Sequence, residues 1–181
     1  MNEIYKIYKH NPPHLFRAGA VYIVTASTYG KRLYMAPDHR KRFWWETLIR
    51  VMEREGWKLI AWVVLSNHYH VLMQAPETGA ERLPVLIGDL HRFTARRWNE
   101  EEGTSGRRVW WNYWDTCITY ERSYYARLNY IHWNPVRHGV VKSPEDYEFS
   151  SYRFYLDRQG EWLKRIEKEY PFDRVNVFDP F

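Results

Sequence analysis

The stretch from residue 57 to residue 75, WKLIAWVVLSNHYHVLMQA, constrains the fold more than any other part of the chain. Trp57 to Leu65 is almost continuously apolar, the pattern of a buried central strand. His68 to Ala75 is a second such run. Only Ser66 and Asn67 separate the two, so the chain has no room for a crossover and must return as an antiparallel hairpin. Alternation along the second strand puts the imidazoles of His68 and His70 on one face, with Leu72 below them. Tyr69, Val71 and Met73 then point the other way.

A sheet can be assembled around this hairpin. Ala20 to Thr28 (AVYIVTAST) reads as a strand, followed by a basic turn at Gly30, Lys31 and Arg32. Pro37 and Asp38 open a helix to about Arg54. Its Trp44, Leu48, Val51 and Met52 share a face, and Gly56 ends it. Past a loop at Pro76 and Gly79, residues 81–99 form a helix that tolerates Pro84 in its first turn. Residues 109–119 (VWWNYWDTCIT) hold a fourth strand in poor alternation. Glu121 to Trp133 is a third helix, stopped by Pro135 and Gly139. At the start, Pro12 and Pro13 impose extended backbone. At the end, Trp162, Leu163 and Ile166 suggest a short amphipathic helix. The order strand, helix, strand, strand, helix, strand is that of a ferredoxin-like α+β sandwich. Such a fold has one antiparallel sheet with helices packed on one face, here with a C-terminal extension. A length of 181 residues allows one such domain, placed at residues 1–155, with a tail at 156–181.

Composition removes several function classes. No run of about 18 apolar residues exists to span a membrane. The N-terminus lacks the apolar core of a signal peptide. The single cysteine, Cys117, excludes a disulfide framework and a multi-cysteine zinc site. A soluble, cytoplasmic, nucleoid-associated protein is the expectation. The net charge of +5 and an aromatic content of 18% suit a nucleic-acid partner, although core packing also uses aromatics.

Two neighbouring imidazoles on one strand face can share a metal ion. On the third helix, Tyr124, Leu128 and Ile131 form an apolar stripe. Ser123, Arg127, Tyr130 and Asn134 form a separate polar line. Tyr130 therefore lies off the packing stripe, one turn from Asn134. Two imidazole nitrogens and an amide oxygen would suit Mg²⁺ or Mn²⁺ with a phosphate oxygen, and Zn²⁺ fits as well. Other readings stay open on these residues alone. The histidines can be bonded separately, and Tyr130 is one of 15 tyrosines. A non-catalytic ferredoxin-like single-stranded nucleic-acid binder would stack bases on sheet aromatics such as Tyr69. A zinc hydrolase is weaker, because no HExxH and no nearby carboxylate base occurs.

Four segments together carry a family resemblance. AWVVLSNHYHVLMQ resembles the histidine–hydrophobe–histidine strand of the single-tyrosine HUH transposases. LNYIHWNPVRHGVV resembles the catalytic-tyrosine helix of their REP-associated branch. VWWNYWDTCI is similar to that branch's tryptophan-rich strand, and SPEDYEFSSYRFY to its PxxYxxSSY-type ending. The likeness covers roughly residues 20–155. It implies His68 and His70 as metal ligands, Tyr130 as nucleophile and Asn134 as a third ligand. Many relatives carry Gln at that last position, one methylene longer, and an aliphatic residue where Tyr69 stands. The implied activity is metal-dependent cleavage and rejoining of single-stranded DNA at hairpins, through a 5′-phosphotyrosine link. Lys31, Arg32, Arg92, Arg96, Arg107, Arg108 and Arg127 are the candidate phosphate contacts. Either a monomer or a homodimer is compatible. His132, two residues from Tyr130, should point elsewhere on the helix.

Overall fold

The computed structural model describes residues 4–6, 14–173 and 175. The extended backbone expected at Pro12 and Pro13 lies outside them. A short pair, β1 (Ile4–Lys6) and β2 (His14–Phe16), precedes the main body. The main sheet has β3 (Val21–Thr28), β4 (Lys58–Val64), β5 (His68–Gln74) and β6 (Trp110–Ile118). Its order is β4-β5-β3-β6, antiparallel throughout. With α1 (Asp38–Glu55) after β3 and α2 (Leu83–Glu101) after β5, this is the expected ferredoxin-like arrangement.

The three-residue link between β4 and β5 is closed by Leu65 N–H donating to the carbonyl of His68 at 2.8 Å. Helix α1 stops at Gly56, whose φ of 72° is left-handed. The N–H of Trp57 then reaches back to the carbonyl of Met52 at 3.0 Å, satisfying the helix end. One face of the sheet packs on α1 and α2. There Tyr69 lies against Trp44, with ring centroids 4.7 Å apart, and Tyr22 meets Trp57 edge-on at 5.6 Å.

The other face is covered as well. Helix α3 (Glu121–Arg137) packs on β4 and β5, and α4 (Tyr152–Glu169) packs on α3. Pro135 does not stop α3, which runs one turn further and ends at His138 and Gly139 (φ 67°). Proline removes one N–H donor, a small loss where the helix is already ending. The short amphipathic helix expected around Trp162 proves to be 18 residues long and runs through position 156. Leu163 and Ile166 bury its inner face. Asn129 of α3 donates to the carbonyls of Ile166 (2.9 Å) and Tyr170 (2.8 Å), capping the open end of α4.

The SPEDYEFSSYRFY segment closes the β4 edge. Val64 N–H donates to the carbonyl of Phe149 (3.0 Å), and Ser151 N–H to that of Trp62 (2.9 Å). The hydroxyls of Tyr147 and Tyr155 donate to the carbonyls of Val64 and Ile60, each at 2.8 Å. Such cover protects an edge strand from pairing with other chains. Among the described residues, no helix is long and apolar enough to cross a membrane.

Candidate active site

His68 and His70 both face α3, as strand alternation required, and their ring centroids are 5.3 Å apart. Across the seam, the ring of Tyr130 stands edge-on to His70 at 5.1 Å. Asn134, one turn later, brings its Oδ1 to 3.2 Å from His68 Nε2. The four residues that the sequence proposed thus meet at one place, between β5 and α3. All four are buried. The polar line on α3 that carries Tyr130 and Asn134 turns inward to the histidines, because α3 packs on β4 and β5.

Burial fixes the state of the imidazoles. Desolvation holds the pKa of His68 down to about 3, with His138 adding to the effect and Asn134 opposing it. His70 is held well below its ordinary value, first by burial and then by His68, His138 and Arg137. Both rings are therefore neutral. A neutral ring can donate from one nitrogen only. His68 has an amide oxygen on each side: Asn67 Oδ1 at 2.8 Å from Nδ1, and Asn134 Oδ1 at 3.2 Å from Nε2. The Nε2 of His68 and the Oδ1 of Asn134 are both atom types that can ligate a cation. His70 is bonded through Nδ1 to Thr25 Oγ1 at 2.7 Å, which fixes the ring and makes Nε2 the nitrogen that a metal would use. Among the described residues, no three His, Cys, Asp or Glu side chains form a metal site. A cation here would need the Asn134 oxygen.

Three contributors escaped the sequence reading. His138 lies 4.8 Å from His68, ring to ring, at the end of α3. It is eight residues after Tyr130 and four after Asn134, so helical periodicity could have found it. Arg137 holds its guanidinium 5.3 Å from the centre of the Tyr130 ring. Thr25 is paired with His70 in the register of β3 and β5, which no local pattern reveals. His132 points away as expected, to Ser151 Oγ at 2.9 Å.

The basic residues divide. Lys31 and Arg32 are exposed on the turn after β3. Arg108 stacks over the rings of Tyr29 and Trp111, at 4.9 Å and 4.6 Å. Arg107 is tied to Asn99 (2.9 Å) and to Glu102. Arg127 is folded onto Ser123 of its own helix. Arg92 and Arg96 lie on α2, across the sheet from the histidines, paired with Asp89 and Glu100 at 2.8 Å each. Tyr69, the aromatic expected on an open sheet, is buried against Trp44 and bonded to His91.

No family model matches the chain. A REP-associated tyrosine transposase of Escherichia coli is 30% identical over 111 residues, 58% of this chain and 60% of that protein. This chain therefore spans about three fifths of that relative's length. A candidate REP-associated tyrosine transposase of Haemophilus influenzae is 27% identical over 158 residues, 81% of this chain and 86% of that one. Among solved structures, a REP-associated tyrosine transposase bound to a REP hairpin matches with a TM-score of 0.67 at 20% identity. The match covers 97% of this chain and 94% of that one. The chain is thus similar in sequence to REP-associated tyrosine transposases and shares the α+β fold of one of them.

Proposed function

We propose that this chain is a metal-dependent tyrosine transposase that cleaves and rejoins single-stranded DNA at hairpin sequences. The observation that carries the reading is the seating of Tyr130 against His70, with the acceptors of His68 and Asn134 beside it. The names of the two relatives, and the hairpin bound by the solved neighbour, support the choice of reaction and substrate.

A phenol is a weak nucleophile near neutral pH. His68, His70 and Asn134 would hold Mg²⁺ or Mn²⁺, which when bound neutralises charge at a non-bridging phosphate oxygen. Tyr130 Oη attacks phosphorus in line and loses its proton. The bond from phosphorus to the 3′ oxygen breaks, and that oxygen leaves as a free 3′-OH. The phosphodiester energy stays in the tyrosine ester, so rejoining is the reverse step and needs no ATP. Arg137, over the Tyr130 ring, is placed to meet the phosphate. Because Tyr130 is buried, a phosphate reaches it only when the seam between α3 and β5 parts.

The test is incubation with labelled single-stranded hairpin DNA and Mg²⁺ or Mn²⁺, read as a covalent adduct on a denaturing gel. Tyr130→Phe should bind the DNA and form no adduct; an adduct with this variant would refute the assignment. Mixing His68→Ala with Tyr130→Phe separates a site within one chain from one shared between two. Only a shared site is rescued.

A further inference from the structure

A cavity of about 430 Å³ opens on the histidine face, between the ends of β3 and β6. Thr25, the residue bonded to His70, is part of its wall, so cavity and candidate active site share a side chain. Its volume is that of a small-ligand site.

Three features shape it. The β3–β6 register slips: Ala26 pairs with Tyr113, but Thr28 pairs with Trp110. The extra residue in β6 is a bulge, a device that re-aims side chains beside functional sites. It turns Trp111 onto Tyr29, with ring centroids 5.3 Å apart. Next, the turn after β3 places Gly30 (φ 64°) and Lys31 (φ 56°) in the left-handed region. For a lysine that conformation is strained and needs support. Support comes from Thr28 Oγ1, donating to the carbonyl of Arg32 at 2.6 Å, and from Tyr29 N–H, donating to the carbonyl of Val109 at 2.7 Å. The turn sets Lys31 on the cavity wall. Finally, Arg108 is anchored by Nε to the carbonyl of Trp110 at 3.1 Å and lies over both aromatic rings. Trp111 and Tyr29 are 46% and 42% exposed, so neither ring is spent on the core.

The chemistry of this wall is specific. Exposed aromatic faces backed by a guanidinium stack planar rings. Lys31 and Arg108 favour anions beside that ring. Asn112 and Ser27, also on the wall, offer donors and acceptors suited to the edge of a base. We propose that this cavity takes one unpaired nucleobase of the strand attacked by Tyr130, stacked on Trp111, with its phosphates on Lys31 and Arg108. The proposal rests on the DNA-cleaving reading above, and makes Trp111 and Asn112 residues that select the sequence beside the cut.

The experiment measures binding of full-length Tyr130→Phe protein to labelled hairpin DNA with a single-stranded flank. An abasic site is moved through the flank one position at a time. At one position the missing base should weaken binding by about 5- to 150-fold, the range for losing one base–aromatic stack. Adding Trp111→Ala should weaken the intact DNA by a similar factor and abolish the effect of that abasic site. Trp111→Phe should restore both. An unchanged thermal midpoint for Trp111→Ala excludes unfolding. Unchanged binding by Trp111→Ala, or an abasic penalty that persists in it at every position, would overturn the proposal. Adduct formation by the parent chain is read in parallel. Adduct without a Trp111-dependent position defeats the cavity alone. A Trp111-dependent position without adduct defeats the chemistry alone.

Discussion

On the α1–α2 side of β5, the hydroxyl of Tyr69 is bonded to His91 at 3.0 Å, and His91 stacks on Trp110 at 4.4 Å with nearly parallel rings. On the α3 side, His68 and His70 meet Tyr130, Asn134 and His138. Desolvation lowers the imidazole pKa on both sides, to about 3 for His91 as for His68. A depressed pKa therefore does not separate a site from a packing cluster. The difference lies in the company. His91 has aromatic rings and one hydroxyl around it. His68 and His70 have a second imidazole, an amide oxygen, a tyrosine, an arginine and a cavity within a few ångströms. The first arrangement stabilises, and the second can also bind.

The contrast breaks most sharply at the proposed nucleophile, Tyr130. Tyr130→Phe should reduce adduct formation to background on a denaturing gel, while gel-shift affinity for the same hairpin holds. The next effect belongs to the two histidines proposed to hold the metal. His68→Ala and His70→Ala should each lower adduct yield by on the order of 10²–10³-fold and raise the Mn²⁺ concentration needed for half-maximal yield. Retained folding is checked by circular dichroism. A variant of His91 that did the same would erase the distinction between the faces.

His91→Phe should instead leave adduct yield unchanged and alter acid stability. The folded ring stays neutral down to about pH 3, whereas the unfolded ring takes a proton near 6.5. Its contribution is whole above about pH 6.5 and falls as the pH drops towards 3, by about 1.4 kcal/mol per pH unit. Urea unfolding of both proteins at pH 7 and pH 5 should show the shallower decline in the variant. Tyr69→Phe gives the smallest effect. It should cost about 0.5–1.5 kcal/mol of stability through the lost bond to His91, again with normal adduct yield.

Much of this is legible in the sequence itself. Apolar runs and a short link determine the hairpin, and strand alternation places His68 and His70 together. Helical periodicity sets Asn134 beside Tyr130 and would have added His138. Legibility failed where partners are distant in sequence. Thr25 joins His70 only through the register of β3 on β5. The burial of Tyr130 depends on α3 packing on β4 and β5, and no local pattern reveals that packing. Long cationic side chains were least readable, since charge alone does not say which face a residue occupies. Arg92 and Arg96 are on the far side of the sheet, and Arg107 is held by Asn99 and Glu102. Pro135 misled because a proline in a closing turn does little harm.

The clasp that Tyr147, Ser151 and Tyr155 lay along β4 has a further consequence for assembly. A second copy cannot lengthen the sheet from that border without first peeling the clasp away.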